Sequence, residues 1–200
     1  MKKLFTLSIV GLALLFSMSV NALADEYFSK TEVQVHMDNY RDTYFYDASI
    51  ATLTTEHYTE WQYGDVFLFL DIQGNDDYST EAKSFYYEIA PRFSLNKMLD
   101  IDLSTPLTGD IYLAGQFNDG IPQGGSDYIN RVWLYGLSVD FKFQPNYGFS
   151  NLSVYVRNEK TQDTSYQVTL AWGQPFSIGG LNLAFNGFMD VWKDDVRTVI

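Results

Sequence analysis

Leu181-Asn182-Leu183-Ala184-Phe185-Asn186-Gly187-Phe188-Met189-Asp190-Val191 is the stretch that decides the fold. Its odd positions Leu181, Leu183, Phe185, Met189 and Val191 are apolar, while the even positions are small, polar or aromatic. A period of two belongs to a strand with two unlike faces. The rhythm returns along most of the chain, and no long helical pattern follows the N-terminus. The oily faces therefore lack a second layer to pack on. A closed barrel in lipid answers that problem, because its strands turn apolar residues to hydrocarbon and keep every backbone group paired.

Working outward from that segment, period and turn signals give nine strands. The first, Thr31 to Asp38, sets Val33, Val35 and Met37 against Glu32, Gln34 and His36. A second, Ala51 to Trp61, is polar on both faces. In the third, Asp65 to Gln73, Val66, Leu68, Leu70 and Ile72 oppose Phe67, Phe69 and Asp71. The fourth separates most sharply: Phe85, Tyr87, Ile89, Pro91 and Phe93 lie on one side, and Ser84, Tyr86, Glu88, Arg92 and Ser94 on the other. The fifth, Asp110 to Phe117, places Ile111, Leu113 and Phe117 outside and Tyr112 and Gln116 inside. The sixth, Asn130 to Phe143, turns Trp133, Tyr135, Leu137, Val139 and Phe141 away from Gly136, Ser138, Asp140 and Lys142. Leu152, Val154 and Val156 oppose Ser153, Tyr155, Arg157 and Glu159 in the seventh, and Tyr166, Val168, Leu170 and Trp172 oppose Gln167 and Thr169 in the eighth.

Turns are expected at Gln144 to Gly148 and Gln174 to Gly180, with a longer loop from Asn118 to Asp127. Parity alone does not say which face meets the interior, and a soluble calycin-like barrel alternates too. Charge spacing separates the two: Glu88 with Arg92, and Asp140 with Lys142, share strand faces and can pair inside a wet lumen. At mid-depth in lipid each cation would cost roughly 2–4 kcal/mol.

The N-terminus stands apart. Lys2 and Lys3 precede an apolar run from Leu4 to Val20, and Ala22-Leu23-Ala24 supplies a small-x-small cleavage site. Residues 1–24 are expected to be a cleaved secretory signal rather than a retained anchor, for which the run is short. Residues 25–200 form one barrel domain. Removing the signal takes away two lysines and no acids, so the net charge falls by two, from −12 to −14. Such a chain repels nucleic acid. Aromatics reach 17% of the sequence, an excess that interfacial girdles account for. The absence of cysteine excludes disulfides and thiolate metal sites.

Because bacterial barrels close with even strand numbers, nine strands predict a chain lacking its last strands. The alternative is an eight-strand barrel in which the polar second segment is a loop. With two histidines, His36 and His57, and no Gly-x-Ser-x-Gly, neither a serine–histidine site nor a zinc site is expected, and no cofactor. The aspartates of Gly74-Asn75-Asp76-Asp77 lack calcium-loop spacing.

Glu88-Ile89-Ala90-Pro91-Arg92-Phe93-Ser94-Leu95 followed by Asp102-Leu103-Ser104 resembles the Tsx family of outer-membrane channels, the nucleoside-specific porins and their vibrio relatives used as phage receptors. The preceding Gly64 to Asp71 and the later Gly136 to Asp140 and Asn186 to Asp190 stand in matching order, whereas the N-terminal third departs from the pattern. The resemblance implies a monomeric, twelve-stranded barrel of a Gram-negative outer membrane, with a narrow lumen that passes nucleosides by stacking and hydrogen bonding. A nucleoside offers a flat base and a ribose diol, so ring faces and hydrogen-bonding groups are needed. The inward set provides both. Phe67, Phe69, Tyr86 and Tyr155 are candidate stacking steps, Asp71, Glu88 and Arg92 candidate polar contacts, and Tyr112 and Arg157 add a ring and a cation further round. The competing readings are that the two phenylalanines fill the interior, that Glu88 and Arg92 brace the wall, and that the barrel is a structural or phage-receptor protein without selective transport.

Overall fold

β-Branched and aromatic residues at period two, broken by glycine, asparagine and aspartate, build an all-β chain. The computed structural model describes residues 26–43, 46–74, 82–121, 131–142, 148–160 and 162–192. The signal segment 1–24, Asn75 to Asp77, residues 122–127 of the expected long loop, Gln144 to Tyr147 and the chain end from 196 lie outside the described residues.

The described residues form nine strands: β1 (Glu26–Thr43), β2 (Tyr46–Trp61), β3 (Gly64–Gly74), β4 (Ala82–Ser94), β5 (Thr108–Ile121), β6 (Val132–Phe141), β7 (Phe149–Glu159), β8 (Ser165–Ile178) and β9 (Leu181–Trp192). A short helix, α1 (Leu95–Leu99), follows β4. The strands form a single sheet in sequence order from β1 to β9. Consecutive antiparallel neighbours are the up-and-down arrangement expected from the turns. The polar second segment is a full strand, so the loop alternative fails. Its cross-strand partners on β1 supply the hydrogen bonds that its side-chain pattern did not advertise.

By compactness the chain divides into two units. The first contains β1, β2, Val66–Gly74 of β3, Ala82–Ile89 of β4 and Asn118–Ile121 of β5. Here β1 exposes Val33, Val35 and Met37, while Thr52 and Thr54 on β2 are buried. The second contains Gln62–Asp65, Ala90–Phe117 and the chain from Val132 onward. It exposes Phe93, Leu113, Trp133, Tyr135, Leu137, Val154 and Val168, and its most deeply buried side chains are the polar Gln167, Ser94 and Ser138. The second unit thus covers the polar parity and bares the apolar one, whereas in the first β1 is open on both parities, Glu32 and His36 included, and β2 and β3 also bury the apolar Leu53 and Ile72. On the edge strand β9 both parities are open: Leu183 and Phe185 are exposed, and so are Asn182, Ala184 and Phe188.

A small apolar core, Ala114, Val132, Leu134 and Tyr155, interrupts the polar face where β5, β6 and β7 meet. The expected turn from Gln174 to Gly180 shrinks to Gly179-Gly180. β8 runs on through Pro175 and Phe176, paired with Ala184 and Leu183. Two glycines at φ +58° and +82° make the reversal on their own, since a two-residue hairpin with both central residues at positive φ matches the twist of its strands.

Candidate functional site

Arg92 is the centre of the polar face in the second unit. It lies on β4 between Pro91 and Phe93, and parity turns it to the covered side. Its Nε and Nη2 donate to Asp65 Oδ1 and Oδ2 on β3, at 2.8 and 2.7 Å, a fork-on-fork pair. Nη1 donates to Asp140 Oδ1 on β6 at 2.7 Å and to the Ser138 hydroxyl at 3.4 Å. The guanidinium stacks 4.3 Å from the Tyr112 ring centroid on the intervening β5. Tyr112 itself donates to Asp140 Oδ2 at 2.9 Å. The Ser153 hydroxyl on β7 continues the network to Ser138 Oγ at 2.9 Å.

The four-residue spacing pointed Arg92 at Glu88 on its own strand, and the guanidinium is instead taken up by aspartates of other strands. The reason is metric: positions i and i+4 of a strand stand about 13 Å apart, whereas facing residues on neighbouring strands are about 5 Å apart. Asp140 likewise serves Arg92 and Tyr112, rather than the Lys142 that its spacing suggested.

A second cluster occupies β7 to β9. Arg157 donates to Gln167 Oε1 at 2.7 Å and to Glu159 Oε2 at 2.8 Å, and lies 4.9 Å from the Trp192 ring centroid. The Gln167 amide donates to Thr169 Oγ1 at 3.0 Å, and the Thr169 hydroxyl to Asp190 Oδ1 at 2.6 Å. Every member has partners, which is what makes polar burial tolerable.

The remaining candidates fall in the first unit. Phe69 meets Tyr86 edge-on at 6.3 Å between ring centroids, and the Tyr86 hydroxyl donates to Glu88 Oε1 at 2.5 Å. Phe67 is half-buried. Asp71 accepts a hydrogen bond from the Thr54 hydroxyl. Tyr86 is 37% exposed and Tyr155, packed in the apolar core of the other unit, only 5%, so the two rings differ in what can reach them. Asp65, Asp140, Ser138, Ser153, Glu159, Gln167 and Asp190 were not singled out as site residues from sequence. Their parity was legible, and their partners were not. Among the described residues no group of three or more His, Asp or Glu is arranged to hold a metal ion.

A consecutive antiparallel sheet with a hydrogen-bonded polar face covered and an apolar face bare is the class that these features define. The chain belongs to the family described as a domain of unknown function, DUF5020, whose model matches residues 30–199. No match to a curated protein is found.

Proposed function

We propose that the protein is an outer-membrane β-barrel channel, exported by the signal expected in residues 1–24, that lets nucleosides or similar small solutes diffuse through a lumen lined by its polar face. The observation that carries the reading is the inverted burial of the second unit: Ser138, Ser94 and Gln167 are covered while Trp133, Tyr135, Leu137, Val154 and Val168 are bare. In water that arrangement forfeits about 25 cal/mol for each Å² of apolar surface left exposed, and hydrocarbon removes the penalty. The resemblance to Tsx-like channels supplies the nucleoside assignment. Tyr86 with Phe69 then offers a ring edge and face to a base, and Glu88 and Asp71 offer acceptors to hydroxyls. Arg92, saturated by its own partners, serves as a brace of the wall rather than a ligand.

Vesicle swelling tests the proposal. Adenosine should enter protein-loaded vesicles faster than a sugar of equal size, and the Phe67→Ala, Phe69→Ala double variant should lose that preference while retaining the sheet's circular dichroism. Equal rates for both solutes would defeat nucleoside selectivity. Entry of neither solute would favour a structural or phage-receptor barrel, a reading that the fully paired Arg92 and Arg157 networks favour because they leave few polar groups free to grip a solute.

A further inference from the structure

The ladders of β6 to β9 align their apolar face in rows. Leu137, Val154, Val168 and Val191 form one cross-strand row, and Val139, Leu152, Leu170 and Met189 form the next. Aromatic residues flank this aliphatic band. On one side Tyr135 and Tyr166 share a row through Val156, with Trp133 one pitch further along β6. On the other side stand Phe141 and Trp172, the latter 5.7 Å from Phe185 between ring centroids. Trp133 to Phe141 spans about 26 Å along the strand, about 20 Å of depth at the usual barrel tilt of about 40°, of the order of the apolar band of about 25 Å between two girdles.

The connection between β4 and β5 belongs to the Phe141 end. The Lys142 N–H donates to the Leu107 carbonyl at 2.9 Å, so Leu107 adjoins the residue after Phe141. The connection is pinned at its start as well. The Ser94 N–H donates to the Tyr63 carbonyl at 2.8 Å, the Ser94 hydroxyl accepts from the Lys97 N–H at 3.0 Å, and it donates to Asp110 Oδ2 at 2.5 Å. Asp100, in the left-handed region at φ 53°, ends α1. On this well-tied segment Met98, Leu99, Ile101, Leu103 and Leu107 are all exposed, by 38 to 68%. Nothing in the unit covers them.

We propose that residues 95–107 form a foot that rests in the headgroup layer of the bilayer and sinks these five side chains into the acyl boundary. The proposal rests on the membrane reading above and adds to it a depth and an end of the sheet. Continuity argues for lipid as the occupant: Phe93, on the bare face, runs directly into α1, and Leu107 lies beside the Phe141 row. Amphipathic segments whose apolar side chains sink a few ångströms below the headgroups are the general form of such an anchor. Lys97 against Asp100 and Asp102 leaves the segment with one net negative charge, so it suits zwitterionic headgroups and gives an anionic surface nothing to hold. Asp102 stays ionised. Hydrogen bonds from the Ser104 hydroxyl and N–H, the latter at 2.8 Å, hold its carboxyl below the usual carboxylate range.

The absence of cysteine makes the test clean. Single variants Leu103→Cys, Leu107→Cys, Lys97→Cys and Val168→Cys, each retaining the sheet's circular dichroism, are nitroxide-labelled and reconstituted into phosphatidylcholine vesicles. Collision rates with oxygen and with a water-soluble nickel chelate are then compared. Labels at 103 and 107 should favour oxygen several-fold, as should the mid-band label at 168, and the label at 97 should favour nickel. If 168 reads as lipid and 103 and 107 as water, the foot stands off the bilayer and the inference falls alone. Labels at 103 and 107 shielded from both reagents would mean that protein covers the foot, which also overturns it. If 168 reads as water, the membrane reading and the inference fall together.

Discussion

Two arginines on the same polar face have been given different tasks. Arg92 reaches Asp65 on β3 and Asp140 on β6 and lies over Tyr112 on β5, so a single guanidinium joins four consecutive strands. Arg157 forms its ion pair with Glu159, two residues along its own strand, and reaches beyond β7 through neutral Gln167 and the Trp192 ring. The difference teaches that wall rigidity in such a sheet comes from side chains that cross strands. A pair along one strand holds a rotamer and adds little to the ladder.

The sharpest way to break the comparison is Arg92→Leu. It strands Asp65, whose side chain is 7% exposed, and Asp140, so a loss of about 3–5 kcal/mol is expected from the denaturant midpoint of the folded protein in detergent. Adding Asp140→Asn should recover part of that loss. A loss under about 1 kcal/mol would show that the network is ornamental. Gly136→Ala should come next, at about 2–3 kcal/mol. An added Cβ would stand 1.9 Å from the Val154 carbonyl oxygen, forcing β6, which carries Ser138 and Asp140, away from β7. Arg157→Leu leaves one carboxylate, Glu159, without its cation where Arg92→Leu leaves Asp65 and the partly exposed Asp140, and about 1–2 kcal/mol is expected, less than the Arg92 variant in the same assay. Losses as large as those of Arg92→Leu would erase the distinction between the two clusters. Asp102→Asn sets the lower bound. Its carboxyl is fully exposed and its folded pKa is lowered, so any contribution is present at neutral pH and disappears as the pH falls through that lowered value. The parent's midpoint should exceed the variant's slightly at neutral pH, by the least of the four substitutions, and the two should coincide at acidic pH.

Much of this sheet was visible along single strands. The alternation at Leu181 to Val191 and at Phe85 to Phe93 sorted residues into two faces, charge spacing said which one would be covered, and Arg92, Tyr112, Ser138 and Tyr155 lie on that side. Strand ends were less visible. β8 continues through Pro175 and Phe176 because the edge-facing geometry of the ladder accommodates them, and two glycines suffice for the turn that a seven-residue signal had suggested. β2 was obscured for the opposite reason: its threonines hydrogen-bond and bury on both sides, so hydropathy does not alternate.

Period two and the turn signals by themselves determined the all-β class, the consecutive strands and which residues share a face, because side-chain direction along a strand is a local property of the backbone. The tertiary structure alone decided that Arg92 meets Asp65 and Asp140, that Tyr155 enters an apolar core with Val132 and Leu134, and that the β4–β5 connection lies beside the end of β6. Those outcomes depend on the stagger between strands, and stagger is a relation between distant segments that no single strand's alternation records.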